Sequence, residues 1–379
     1  MKSFQPLRFS KTRTDFYTTL NQRVNEYFKT RQLCRHANNQ MRIKTVFMLA
    51  LYFVPFIIMM TAGIQSVWIM AALCVVMGLG IAGIGLSVMH DACHGAYSKN
   101  PAVNRWLGYT LNMIGANAFN WKIQHNVLHH TYTNVNEIDE DVSQRGIFRL
   151  NPHAPWKPIH RFQYIYAWPL YGLMTFVWVF IKDITRLRKY EREGLVDRVQ
   201  GSARREWIML FVSKALYLSY ALVLPMVLLP FAWWQVFLGF FIAHYVAGFI
   251  LAVIFQPAHV TSDSVFPVPD EHNTLENNWA IHQVLTTKNF ANKSTLFSWY
   301  VGGLNFQIEH HLFPNICHVH YKNLSPIVQA TALEFGLPYY HEETFLKAIY
   351  EHGLSLKQFG DKNCVAPVPA ALPELEEVA

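Results

Sequence analysis

Four apolar runs set the plan of this chain: Val46 to about Ala62, Val67 to Met89, about Trp207 to Pro230, and Trp233 to Phe255. A helix needs roughly 20 apolar residues to cross about 30 Å of hydrocarbon, so each run predicts a membrane-spanning helix. Very short connectors join the runs in pairs, which predicts two helical hairpins. A fifth stretch, Phe162 to Ile181, is apolar and aromatic enough to be a candidate span. A crossing there would put histidine clusters on opposite faces of the membrane, so it is predicted to be an interfacial or re-entrant helix. The basic residues after it agree, because Lys182, Arg186, Arg188, Lys189, Arg192, Arg198, Arg204 and Arg205 mark a cytoplasmic segment.

Between these runs the pattern is mixed. Asn100 to Ala118 carries Trp106, Leu107, Leu111, Met113 and Ile114 at helical spacing, which predicts a short amphipathic helix near the interface. Residues 1–44 interleave aromatic and basic side chains and read as a cytoplasmic cap along the headgroups. Residues 45–325 read as the membrane and catalytic domain. One or two helices over 326–361 close the chain on the cytoplasmic side. A tail from 362 to 379, Pro/Ala/Glu-rich from Pro367, is expected to be disordered. The expected fold is an all-α integral membrane protein, four transmembrane helices in two hairpins with a cytoplasmic helical cap.

Composition supports that class. The 379 residues are 52% hydrophobic and 15% charged, against about 25% charged in soluble domains. The formal charge of +7 would also suit nucleic acid, but the basic residues cluster beside the apolar runs, which favours anionic lipid headgroups. Five cysteines, an odd number with no Cys-x-x-Cys pair, predict reduced thiols. The polar, basic stretch ahead of the first apolar run has no signal-peptide pattern, so both termini are expected in the cytoplasm.

Three clusters hold the chemistry: His90-Asp91-Ala92-Cys93-His94, His125-Asn126-Val127-Leu128-His129-His130 and Gln307-Ile308-Glu309-His310-His311. Residues four apart share a helix face, so His90 with His94 and His125 with His129 can each aim at one point. His130 lies about 100° round and can reach a second. Seven histidines exceed the four ligands of a structural zinc site and the three of a catalytic one. The chain has neither His-Glu-x-x-His nor the Glu-x-x-His pairs of carboxylate di-iron bundles. A nitrogen-rich pair of sites beside a membrane bundle favours two non-haem irons with O2. The acidic loop Asn136 to Asp141 is either a solvated turn or a set of acceptors for metal-bound histidines.

His-x-x-x-His, His-x-x-x-His-His and Gln-x-x-His-His, separated by two hairpins, resemble the membrane fatty acid desaturase family over about residues 45–325. Gln307, where other subfamilies have histidine, resembles the front-end type, and the second and third clusters are especially similar to those of bacterial delta-6 acyl, linoleoyl-CoA-like, desaturases. The resemblance implies metal ligation by His90, His94, His125, His129, His130, His310 and His311. It adds His259, in Gln256-Pro257-Ala258-His259, as a further ligand. It also implies that Gln256 holds a metal-bound water, while Gln307 either coordinates through oxygen or orients a neighbour. It implies O2-dependent insertion of a cis double bond into an unsaturated acyl chain carried on CoA or lipid. A bacterial inner membrane fits better than the endoplasmic reticulum.

His282 and His318 are candidates to support the ligands from outside or to ligate themselves, and His244, deep in the fourth span, is expected to be buried and hydrogen-bonded or to lie beside the substrate path. With no His-Pro-Gly-Gly segment and no iron–sulfur cysteine set, electrons must come from a separate ferredoxin or cytochrome b-type protein. A lipid or carotenoid hydroxylase or ketolase would keep the same centre. A non-catalytic metal-binding membrane protein would place its polar ligands at mid-membrane instead.

Overall fold

The computed structural model describes residues 4–11, 15–142 and 146–366. Most of the tail expected to be disordered, 367–379, lies outside the described residues, as do Arg13 and residues 143–145. The described residues fold as two compact units, each assembled from separated stretches: residue 4, 38–123 and 168–253 in one, and those within 5–37, 124–167 and 254–366 in the other.

The first unit holds the apolar helices. Four are long and apolar enough to cross a membrane: Asn39–Thr61, Val67–Cys93, Ala203–Leu228 and Trp233–His259. All four predicted spans are present, and each helix outruns its apolar run at one end. The first starts at Asn39 because the Asn38 side chain accepts from Met41 N at 3.0 Å, capping the helix in its polar segment. The second continues to Cys93 and the fourth to His259, since backbone hydrogen bonding does not stop where hydropathy changes. The first two helices approach closely at Gly80, where a Cβ would stand 2.6 Å from Tyr52 N.

The stretch predicted as one helix over 162–181 is broken. Pro158–Tyr171 and Met174–Arg192 meet at a bend of 72°, and counting them together would give a fifth span. Gly172 stands at the break, where a Cβ would collide with the Tyr245 ring. The predicted amphipathic helix is also two pieces, Pro101–Gly108 and Thr110–Met113. It ends before Gly115, whose φ of +93° suits glycine and turns the chain.

Lys214, near the middle of the third span, is fully matched. Lys214 Nζ donates to Gly115 O at 2.8 Å, Trp178 O at 3.0 Å and Asp183 Oδ2 at 2.7 Å. Asp183 Oδ1 accepts from Trp178 Nε1 at 2.8 Å, and Asn120 Nδ2 donates to Asp183 O at 2.8 Å. This lysine ties the third span to the bent segment and to the turn ahead of the second histidine cluster.

The second unit has its core around the third cluster. Phe16, Leu20, Val24 and Phe28, on one face of the helix Phe16–Thr30, belong to one buried cluster with Ile308, Leu312, Phe313, Leu324 and Val328. Two parallel pairs of two-residue strands, Arg8–Phe9 with Thr274–Leu275 and Asn289–Phe290 with His341–Glu342, depart from the all-α expectation. Segments this short have no alternating pattern to read.

Removing one partner of a buried ion pair costs about 3–5 kcal/mol, because the other charge is left uncompensated. Lys214→Met is expected to destabilise the first unit by that amount, read as thermal unfolding of the purified chain in detergent. Adding Asp183→Leu should recover part of the loss. An unchanged unfolding temperature in Lys214→Met would refute this assignment.

Candidate metal centre

The second cluster sits on a helix that changes pitch. Asn117 caps it, accepting from Asn120 N at 2.9 Å, and after Trp121 the helix loosens into a π-helical stretch over Lys122–His129. His130 N bonds to His125 O at 2.9 Å, five residues back. An ordinary helix would set these two residues roughly 140° apart. The wider turn stacks them instead, with His125 Nε2 and His130 Nε2 3.2 Å apart.

His129, His259 and His311 each bring one ring nitrogen within 4.8 Å of the other two, and all three residues are buried. Their Nε2 atoms have no hydrogen-bond partner among the described residues. Each Nδ1 is engaged. His129 Nδ1 donates to Asp139 Oδ2 at 3.0 Å, His259 Nδ1 to Thr286 O at 3.2 Å, and His311 Nδ1 to Gln283 Oε1 at 2.8 Å. A proton fixed on Nδ1 leaves the lone pair on Nε2, the tautomer a metal ligand needs.

A second group, His130, His310 and His311, meets the same distance test. His130 Nε2 and His310 Nε2 are 2.9 Å apart, and His310 Nδ1 lies 3.3 Å from the Tyr321 hydroxyl. Imidazole nitrogens about 2.0–2.1 Å from one ion stand roughly 2.9–3.4 Å from each other. These nitrogens are therefore spaced as co-ligands, and the donor set fits a metal.

Electrostatics separates the histidines. Burial and the surrounding imidazoles, His259 first, hold His311 well below the ordinary histidine range. Burial also works against the charged form of His129, but the charge and hydrogen bond of Asp139, with Asp141, outweigh it and raise its pKa. Asp139 is fully buried and also accepts from Asn134 N at 2.8 Å and Asp141 N at 3.0 Å. The acidic loop thus turns Asp139 inward as an acceptor for a candidate ligand, and the solvated-turn alternative fails there.

A family model for fatty acid desaturases matches residues 66–343. The chain is 35% identical over 362 residues to an sn-1 linoleoyl-lipid 6-desaturase of Synechocystis sp., covering 95% of this chain and 99% of the relative. It is 32% identical to an enzyme of the same name from Arthrospira platensis, over 95% of each chain. It is 36% identical to an acyl-lipid (8-3)-desaturase of Physcomitrium patens, over 91% of this chain and 72% of the relative. The chain belongs to the fatty acid desaturase family. It is an oxidoreductase of lipid metabolism and a membrane protein.

The other residues singled out in this desaturase's sequence divide clearly. His90 and His94 lie in the first unit at the end of the second apolar helix, ring centroids 4.8 Å apart and both edge-on to Trp121. His259 ends the fourth apolar helix, on the turn that also carries Gln256. Gln256 Nε2 donates to Asp141 O at 3.3 Å and Gln307 Nε2 to Leu304 O at 2.7 Å, and each amide oxygen is buried without a partner among the described residues. His282 and His318 are buried but stand outside the two histidine groups. Burial pushes His282 down to about 4. His244, on the fourth apolar helix, is hydrogen-bonded to Tyr217 of the third at 2.6 Å and to Thr175 of the bent segment at 3.2 Å, the first of the two roles expected for it.

Sequence reasoning missed the acceptors that are not acidic. Gln283 and the Thr286 carbonyl both come from the short helix Trp279–Leu285 and its end. Glu309, inside the third cluster, faces Asn289 at 2.8 Å and Tyr339 at 2.7 Å. Burial raises its carboxyl to about 7, against those two hydrogen bonds. Asn289 Oδ1 also accepts from Ile308 N at 3.0 Å, which ties the third-cluster helix to the strand Asn289–Phe290.

Loss of an outer hydrogen-bond partner weakens metal binding about 10–100-fold. Asp139→Asn should lower metal retention by that factor in a chelator competition on the purified chain. Equal retention would show that Asp139 does not hold His129 for a metal.

Proposed function

We propose that this protein is a di-iron, O2-dependent acyl-lipid desaturase of the front-end type that forms a cis double bond, delta-6-like, in an already unsaturated acyl chain. One observation carries the reading: three buried histidines each bring a ring nitrogen within 4.8 Å of the other two, and each has an Nε2 without a partner among the described residues and an Nδ1 held by an oxygen acceptor. The proposed ligands in the second unit are His125, His129, His130, His259, His310 and His311. His90 and His94 join them on the sequence pattern alone. Gln256 and Gln307 each offer an amide oxygen, for a bound water or for a metal.

Bound iron would supply the O2-derived oxidising power that removes hydrogen from two neighbouring methylenes, which no side-chain acid or base can do. The chain's residues do the rest. Asp139, Gln283 and Thr286 O keep their histidines in the ligating tautomer, and Tyr321 steadies His310. The buried apolar core around the third cluster limits water at the histidines.

The relatives named for a linoleoyl-lipid and for acyl-lipids favour a lipid-borne acyl group over acyl-CoA. Gln307 supports front-end regiochemistry. Electrons are proposed to come from a separate ferredoxin or cytochrome b-type protein. The histidines and both termini are assigned to the cytoplasmic side of a bacterial inner membrane, with four spans in two hairpins. In this reading residues 1–44 form the cap, 45–325 the membrane and catalytic domain, and 326–361 the closing helices.

The test is expression in a host supplied with linoleate, with double bonds located by mass spectrometry and iron measured in the purified chain. A new cis double bond on the carboxyl side of the existing ones is expected. His310→Ala should lower it at least about 100-fold, the upper end for losing even an outer partner of a ligand. Added oxygen in place of an alkene would make the protein a hydroxylase or ketolase. Full activity in His310→Ala would overturn the ligand assignment.

A further inference from the structure

We infer that Gln283 is a positioning residue that decides whether His311 can hold a metal; the inference rests on the reading above. Gln283 is fully buried on the short helix Trp279–Leu285, and neither motif spacing nor charge draws attention to it. Its Oε1 accepts from His311 Nδ1 at 2.8 Å and lies 3.0 Å from Thr133 Oγ1. Thr133 Oγ1 has one proton to share between Gln283 Oε1 and His129 O, 2.7 Å away, and stands 3.4 Å from His311 Nδ1. One amide therefore joins the His311 ring to the backbone of the helix that carries His129.

An amide has two ends, and they impose opposite states on the ring. With Oε1 toward His311, the imidazole must carry its proton on Nδ1, and Nε2 keeps a lone pair. With the amide turned over, Nε2–H would donate to Nδ1 and to the threonine hydroxyl. His311 would then carry its proton on Nε2 and could not ligate through that atom.

The structure has the first of these orientations. Gln283 Nε2 has no partner among the described residues, while Oε1 meets both His311 and Thr133. His311 belongs to both histidine groups, so its tautomer bears on each. The other two members of its first group have no such ambiguity, because the carboxylate of Asp139 and the carbonyl of Thr286 can only accept. Gln283 is the one acceptor of the three that could reverse.

Two variants separate the possibilities. Glutamate at this position can only accept when ionised and enforces the ligating tautomer. Methionine fills similar space and offers no strong acceptor. Full-length protein would be purified in detergent, checked for monodispersity and thermal unfolding, loaded with Fe2+ or Co2+, and challenged with a chelator. Gln283→Met should weaken metal retention about 10–100-fold and alter the ligand-field absorption of the cobalt-loaded chain. Gln283→Glu should restore both.

Equal retention in wild type and Gln283→Met would overturn the inference and leave the metal centre standing. Loss in Gln283→Glu with retention in Gln283→Met would show that the amide donates, which also overturns it. Loss in both folded variants would reduce Gln283 to a packing role. A folded wild-type chain that takes up no metal would overturn the centre itself, and the inference with it.

Discussion

The centre depends on a single electrostatic requirement, that a buried imidazole must have something to do with both nitrogens. A buried polar atom without a partner costs about 1–3 kcal/mol, and His129, His259 and His311 each bury such an atom. Three such costs in one place are comparable with the whole net stability of an ordinary domain. A fold keeps that arrangement when a ligand repays it. The three Nδ1 bonds fix the rings, whereas a ring free to rotate would turn its second nitrogen toward any neighbouring acceptor. A metal ion is the partner to which several converging lone pairs can donate at once.

Geometry then has to bring the rings together, and backbone irregularity does much of that. A regular helix spreads positions 125, 129 and 130 over two directions, whereas the π stretch Lys122–His129 closes the gap between His125 and His130. A second π stretch, Ile84–Val88, lies just ahead of His90 in the other unit. Loosened turns of this kind give up ideal backbone geometry and are frequent at functional sites. Here they rotate the residues that follow relative to a helix whose other face is already committed to packing.

Much of this was legible in the sequence. The four spans follow from run length alone, the histidine spacing points to His129 and His311, and the family resemblance adds His259. What the sequence hid falls into three physical kinds. Helix ends ran past the hydropathy change, because hydrogen bonding and not apolarity ends a helix, so the second and fourth span helices run on unbroken through His90 and to His259. The pitch change at Lys122 has no signature in residue type. Asp139 could be suspected from its charge, but Gln283 and the Thr286 carbonyl could not, since an amide and a backbone oxygen look the same wherever they occur. Attention to histidines favoured His282, and the acceptor was its neighbour Gln283.

The membrane helices also differ according to what they carry. The spans that end in Cys93 and His259 are 50% buried over their apolar windows, against 33% for the first and 17% for the third. The two helices that deliver histidine clusters are thus the ones most enclosed by protein, while the third is largely left to lipid. Polar groups inside the first unit follow the same logic. Lys214 and His244 are both satisfied by protein partners, so neither requires water within the bilayer. Lys214 fastens the most lipid-exposed span to Gly115 and Asp183, and Asp183 reaches Asn120 at the start of the second-cluster helix. The span with the least packing of its own is therefore anchored by charge to the segment that sets where that helix begins. This compensates for the scarcity of apolar contacts, because lipid can replace a packed methyl group but cannot replace an ion pair.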